Sequence, residues 1–257
     1  MSWINPFNKL IAPNKARQTG KQADNDFEKE CARFYQFESA TKKVYKGMKR
    51  YGEAMLALNK AEQRIFQDLA SGPLAQTDLL QEPVDEFSKV TAKLDELRQE
   101  LVSRNQKTFL DPMKRLRSVF PSVNDAIRAR EQSFMEYAKH QAKVEKLAEK
   151  ERTPQNLAKL EQAEKDLAKA KADYERQNAV MLEDLPMLTN GRVDYFEPCF
   201  EALILSEASY YSQSAQALTN LTNLLSRSSE QLKIEEQQAQ LERKLADLKA
   251  LSITEDV

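Results

Sequence analysis

The chain has 257 residues, 31% of them charged, with 5 glycines and 9 prolines. Abundant Ala, Leu, Lys, Glu and Gln suit long helices, because these residues lose little entropy on coiling, and the scarcity of Gly argues against a turn-rich β fold. A net charge of −1 gives no overall pull on polyanions, yet charge is uneven. Residues 104–130 hold seven bases against Asp111 and Asp125, while residues 183–257 hold thirteen acids against six bases. Attraction for anions is therefore concentrated in one segment.

Residues 1–21 form an N-terminal segment in which Trp3, Phe7, Leu10 and Ile11 fall on one side of a short helix. Asn5 can cap it, Pro6 suits its first turn, and Pro13 ends it. With Lys9, Lys15, Arg17 and Lys21 around it, this is an apolar wedge in a basic surround, as an interfacial membrane helix needs. A tail packed on the rest of the chain, or a disordered one, accounts for it equally well.

A first long helix is expected from Asp24 to about Ala70, with Phe27, Cys31, Phe34, Met48, Met55 and Leu69 in a three/four rhythm. Ser71-Gly72-Pro73 breaks it, and the turn runs to about Asp78. The second helix starts near Glu82, with Phe87, Leu94, Leu97 and Leu101 as its core line. Pro112 and Pro121 stand inside it, where a missing N–H and a ring clash bend a helix.

From Ser122 onward, Val123, Ile127, Phe134, Tyr137, Gln141, Val144 and Ala148 share a face about 100° wide at about 100° per residue. Arg128, Lys139, Lys143, Lys146 and Lys150 share the opposite face within about 60°. Arg130 falls on the apolar side instead, so it is expected to be partly buried, paired with a carboxylate and structural in role. His140, the one histidine, is expected as an exposed bystander on the basic side.

Thr153-Pro154 reads as an N-cap followed by proline at the first helical position, so the chain turns back near residue 152. The third helix carries Leu157, Leu167, Tyr174, Met181, Phe196, Phe200, Tyr211 and Leu221, with Pro186 and Pro198 inside it. Pro121 and Pro186 stand 31 and 34 residues from Arg152, so two antiparallel helices would bend at one level. Arg152, Lys159 and Lys165 flank this tip as a second basic contact. Residues 229–257 form a charged helical tail with a weak seam of Leu241, Leu245 and Leu248, expected to be frayed or self-packed. A slender bundle of this kind leaves apolar surface around residues 195–211 and on the first helix, which implies self-association.

Two internal segments, FLDPMKRLRSVFPSVNDAIRAREQSFMEY and LEDLPMLTNGRVDYFEPCFEALILSEASYY, together with the opening MSW and FEKECARF, resemble the BAR domain of amphiphysin and endophilin type. The likeness is to the short fungal Rvs-type members that lack a Src-homology-3 domain, and it covers about residues 1–228. The resemblance implies an all-α fold: an elongated, kinked, antiparallel three-helix coiled-coil bundle over residues 22–228, paired into a crescent-shaped homodimer or heterodimer. It also implies a basic concave face on anionic phospholipid membrane, at the cytoplasmic side in endocytosis or cortical actin organisation, with the actin and endocytic machinery engaged indirectly.

The expected membrane-binding residues are Arg128, Lys139, Lys143, Lys146, Lys150, Arg152, Lys159 and Lys165, and the expected insertion residues are Trp3, Phe7, Leu10 and Ile11. No Gly-rich phosphate loop, nucleophile motif or metal-ligand spacing appears, so neither an enzyme nor a cofactor nor a metal is expected. No apolar run suits a membrane span. Cys31 and Cys199 are expected as buried free thiols, which fits a reducing compartment. Nucleic acid is not an expected partner, because no aromatic residues interleave with the lysines. The rival reading is a coiled-coil scaffold that binds proteins and never touches lipid.

Overall fold

The computed structural model describes residues 17–73, 77–226 and 234–251. Trp3, Phe7, Leu10 and Ile11 lie outside these residues. Five α-helices follow in order: α1 (Arg17–Ser71), α2 (Asp78–Asn105), α3 (Asp111–Ala148), α4 (Pro154–Ser226) and α5 (Ile234–Lys249). A π-helical turn, Gln106–Leu110, joins α2 to α3. The described chain is thus all-α. Helix one begins at Arg17 and helix two at Asp78, each several residues before the expected starts at Asp24 and near Glu82. Gly20 lies in the first turn of α1, and Pro83, the sixth residue of α2, forgoes one ladder hydrogen bond near that helix's start.

The chain divides into two compact units. One is built from the stretch ending at Tyr51 together with Arg104–Ile204, so that α1, α3 and α4 supply its three strands of helix. Phe27, Cys31 and Phe34 of α1 meet Phe120 and Ile127 of α3 and Met181 and Leu185 of α4 in one apolar cluster. Phe34 and Phe37 both meet the Phe120 ring edge-on, at 5.8 and 5.4 Å. A neighbouring cluster joins Phe109, Met113 and Cys199, with Tyr45, Met48 and Phe196 packed on it. Phe34, Phe109, Phe120, Ile127 and Leu185 are the large side chains most completely removed from water. Each stabilises the fold by roughly 1.5–3 kcal/mol relative to exposure.

The prolines follow these two clusters. Phe120 and Leu185, in one cluster, immediately precede Pro121 and Pro186. Met113 and Cys199, in the other, immediately follow Pro112 and Pro198. Helix-breaking residues of α3 and α4 are therefore matched at two levels, where the expected pairing concerned one. The π-helical turn is the feature the periodicity did not reveal. The Asp111 N–H reaches back to the Gln106 carbonyl, while Pro112 has no N–H to offer Thr108. The extra residue of the π turn is thus accommodated where the ladder is already interrupted.

The second unit comprises Gly52–Ser103 and the stretch from Leu205. Met55 of α1, Leu94, Leu97 and Leu101 of α2 and Leu221 of α4 are buried there. Arg98 is buried among them, and its guanidinium meets both oxygens of Glu62, the Asn59 Oδ1 at 3.2 Å and the Tyr210 hydroxyl at 3.1 Å. Asn59 and Gln63 donate in turn to Asp95. A buried charge held this way is satisfied, and losing one partner would strand the rest. In α5, Leu241, Leu245 and Leu248 are 67%, 51% and 60% exposed, so the tail is a helix whose seam faces solvent, which corrects the expectation of self-packing.

Candidate functional site

The turn between α3 and α4 is set locally. Thr153 Oγ1 accepts the Asn156 N–H at 3.3 Å, and Pro154 opens α4, so the cap and first-turn proline lie where the sequence places them. The Tyr137 and Tyr174 rings stack at 5.6 Å, and Phe134 lies beside Tyr174, holding α3 against α4 as they approach that turn. Ala163 is fully buried, which lets the helices come close.

On the other side of α3, Lys139, Ala142, Lys143, Lys146, Leu147 and Lys150 line a shallow, open groove of about 440 Å³. Four of the eight expected membrane-binding residues thus lie side by side along one exposed face at the end of α3. Neighbouring acids temper some of this charge. Lys139 lies 3.5 Å from Glu136, and Lys143 lies 3.9 Å from Asp166 of α4. Arg128 pairs with Asp125 at 3.1 Å, and Lys165 with Glu161 at 2.7 Å. That last contact raises the Lys165 pKa and lowers the Glu161 one, first through the hydrogen bond and then through charge. Such exposed pairs contribute little and loosen with salt. Among the described residues, none forms an ion pair with Lys146, Lys150, Arg152 or Lys159, which are all exposed.

Arg130 is 4% exposed. Its guanidinium lies 4.0 Å from the Phe27 ring centre, and it donates to Asn178 Oδ1 at 2.7 and 2.9 Å and to the Tyr174 hydroxyl at 3.0 Å. It belongs to the core, as its place on the wheel implies. Arg117 is likewise turned inward, 4.4 Å over the Tyr45 ring, whereas Lys114 and Arg115 are exposed.

Two expectations need correction. His140 is half-buried, and its Nδ1 is shielded with no hydrogen-bond partner among the described residues. It sits one turn from Tyr137, at the edge of the packed face, and is not an exposed bystander. Ala148 is exposed, and Leu147 takes the half-buried position instead. Met135, 56% exposed, is a surface residue that the apolar periodicity does not single out. On the wheel it lies about 20° from Arg128, inside the basic stripe, but a lone apolar residue leaves no periodic signal.

The family model described as "BAR domain" matches residues 12–227. "Bridging integrator 3" of Mus musculus is 39% identical over 262 residues, covering 100% of this chain and 100% of its own. "Regulator of cytoskeleton and endocytosis RVS161" of Candida albicans is 26% identical, over 88% of this chain and 87% of its own. Among solved structures, "Amphiphysin BAR domain from Drosophila" matches with a TM-score of 0.67 and 16% identity, over 84% of this chain and 97% of that one. This last likeness concerns the fold alone. With most of its length matched by the family model and a relative this similar from end to end, the chain belongs to the BAR domain family.

Proposed function

We propose that the chain senses or shapes membrane curvature by laying the basic face of α3 on an anionic bilayer. The observation that carries this reading is the groove in which Lys139, Lys143, Lys146 and Lys150 converge. Anionic leaflets attract each nearby Lys or Arg by about 1 kcal/mol, so Lys146, Lys150, Arg152 and Lys159 supply on the order of 4 kcal/mol per protomer. The acid-paired Arg128, Lys139, Lys143 and Lys165 add less. Pairing of two protomers doubles this and gives reversible, salt-sensitive adhesion.

Exposed apolar side chains on α4 supply a surface for that pairing. Val193, Phe200 and Ile204 are 53%, 49% and 50% exposed and recur at helical spacing. The curved dimer that the family resemblance implies would then present the groove of each protomer. The Candida albicans relative is named a regulator of cytoskeleton and endocytosis, which supports a setting of that kind. No described helix is long and apolar enough to cross a membrane, in keeping with peripheral attachment. Residues 1–13 would add a wedge, with Trp3, Phe7, Leu10 and Ile11 inserting between headgroups.

Sedimentation with phosphatidylserine-containing vesicles tests the reading. Replacing Lys139, Lys143 and Lys146 by Glu should abolish binding while the helical content and the dimer persist. Undiminished binding by that variant would overturn the assignment of the face. A wild-type chain that ignores vesicles altogether would favour the protein-binding scaffold. Deleting residues 1–13 should reduce tubulation and retain binding.

A further inference from the structure

Of the nine prolines, Pro154 alone follows a hydroxyl residue, Thr153. The pair lies at the turn between α3 and α4, where residues 151–153 are exposed and belong to neither helix. The turn has supports that do not involve the Thr153 hydroxyl. The Glu151 carbonyl accepts the Thr153 N–H at 2.9 Å and the Asn156 Nδ2 at 2.8 Å, and the Leu157 N–H reaches the Thr153 carbonyl at 3.0 Å. The hydroxyl itself serves the single cap contact to the Asn156 N–H.

The lysine groove ends next to the same turn. Lys146 and Lys150 line it, and Lys150 and Arg152 stand three residues and one residue before Thr153. Three residues of chain hold the Thr153 and Lys150 Cα atoms at most about 11 Å apart, somewhat beyond the Debye length of about 8 Å at physiological salt, a gap that the long lysine side chain can close. A charge placed on Thr153 is therefore felt at the groove.

We propose that Thr153 is a phosphorylation site for a proline-directed serine/threonine kinase, and that its phosphate weakens the groove's hold on anionic membrane; the second part rests on the membrane reading above. A residue before proline is biased to an extended backbone, the form a kinase cleft takes up. In the transfer, Thr153 Oγ1 forms a bond to the γ-phosphorus of ATP as the bond to the bridging oxygen breaks. ADP leaves, and the hydroxyl proton passes to the kinase's base. The product carries about −1.5 to −2 charges at neutral pH, enough to offset roughly two lysines. An anion at the start of a helix is favourable, so the turn keeps its fold while the surface loses its attraction.

The test uses the full chain, a proline-directed kinase with ATP, and phosphatidylserine vesicles. Mass spectrometry should place one phosphate on Thr153 and none on a Thr153→Ala variant at that position. The phosphorylated chain should bind vesicles more than about tenfold more weakly, and Thr153→Asp about fivefold more weakly. Thr153→Asn, an equally good cap without charge, should bind like the unmodified chain. A native chain left unmodified at Thr153 would overturn the proposal, as would a phosphorylated one that binds undiminished. An unmodified chain that does not bind would overturn the membrane reading beneath it.

Discussion

The Tyr195 hydroxyl on α4 donates to the main-chain carbonyl of Pro112 on α3 at 2.9 Å. This bond ties the two helices at one of their proline levels, next to the π-helical turn and the cluster of Phe109, Met113 and Cys199. Tyr195 is 39% exposed, so water can replace part of what is lost. Tyr195→Phe should therefore cost about 0.5–1 kcal/mol, toward the low end for a hydrogen bond. The expected fall in melting temperature by circular dichroism is roughly 1–4 °C. An unchanged melt would show that the bond is replaced by solvent at no cost.

Arg130 should behave as a core residue despite its charge. Arg130→Lys keeps the charge but not the fork that reaches both Asn178 and Tyr174, nor the flat contact with Phe27. Leaving buried polar groups short of a partner costs about 1–3 kcal/mol. The variant should melt several degrees lower and, once folded at low temperature, bind anionic vesicles as the wild type does. Weaker vesicle binding at unchanged stability would instead return Arg130 to the membrane face.

That division between Arg128 and Arg130 was legible because α3 keeps a regular period: two residues move a side chain about 200° around the helix. The Thr153 cap and the proline spacing were legible for similar reasons, since each acts through local backbone chemistry. Other features depend on a partner helix. The setting of His140 is decided by what packs beside it, and the Asp166 that reaches Lys143 comes from α4. The π turn at Gln106–Leu110 carries no residue signature, and Arg98 reads as an ordinary basic residue until Glu62, Asn59 and Tyr210 surround it. Charge and local pairs such as Glu161 with Lys165 could be read from helical spacing, but cancellation from another helix, as by Asp166 at Lys143, could not.

Cys31 gives the fold a stability that depends on pH. Burial, aided by the negative charge of Glu131, pushes its thiol from the ordinary 9.0 up to about 12. Between those values an unfolded chain releases the proton and the folded chain holds it, so the unfolded state binds fewer protons. Stability should then fall as pH rises through about 9 toward 12. Denaturant titrations of wild type and Cys31→Ala between pH 8 and 11 check this, the wild type losing stability more steeply. Parallel slopes would remove Cys31 as the cause. At pH 8 the buried thiol should also resist alkylation until the chain is unfolded.

Met135 decides whether the α3 face works by charge alone. A single exposed apolar side chain is commonplace on protein surfaces and needs no function. Met135, though, is 56% exposed among Arg128, Lys139 and Lys146 on one helical stripe, where a bilayer held by those bases would meet it. Burying about half of such a side chain among lipid headgroups is worth about 1 kcal/mol, or roughly fivefold in affinity. Met135→Ser should weaken vesicle binding by about that factor and shift the melt by little, since most of the side chain is exposed. Salt separates this contribution from the lysines: raising ionic strength shortens the Debye length and weakens their attraction, but leaves apolar burial in place. The fivefold gap between wild type and Met135→Ser should therefore persist at high salt, while the gap between wild type and a Lys146→Glu variant should narrow. Equal binding by wild type and Met135→Ser at both salt concentrations would leave electrostatics as the whole of the α3 contribution.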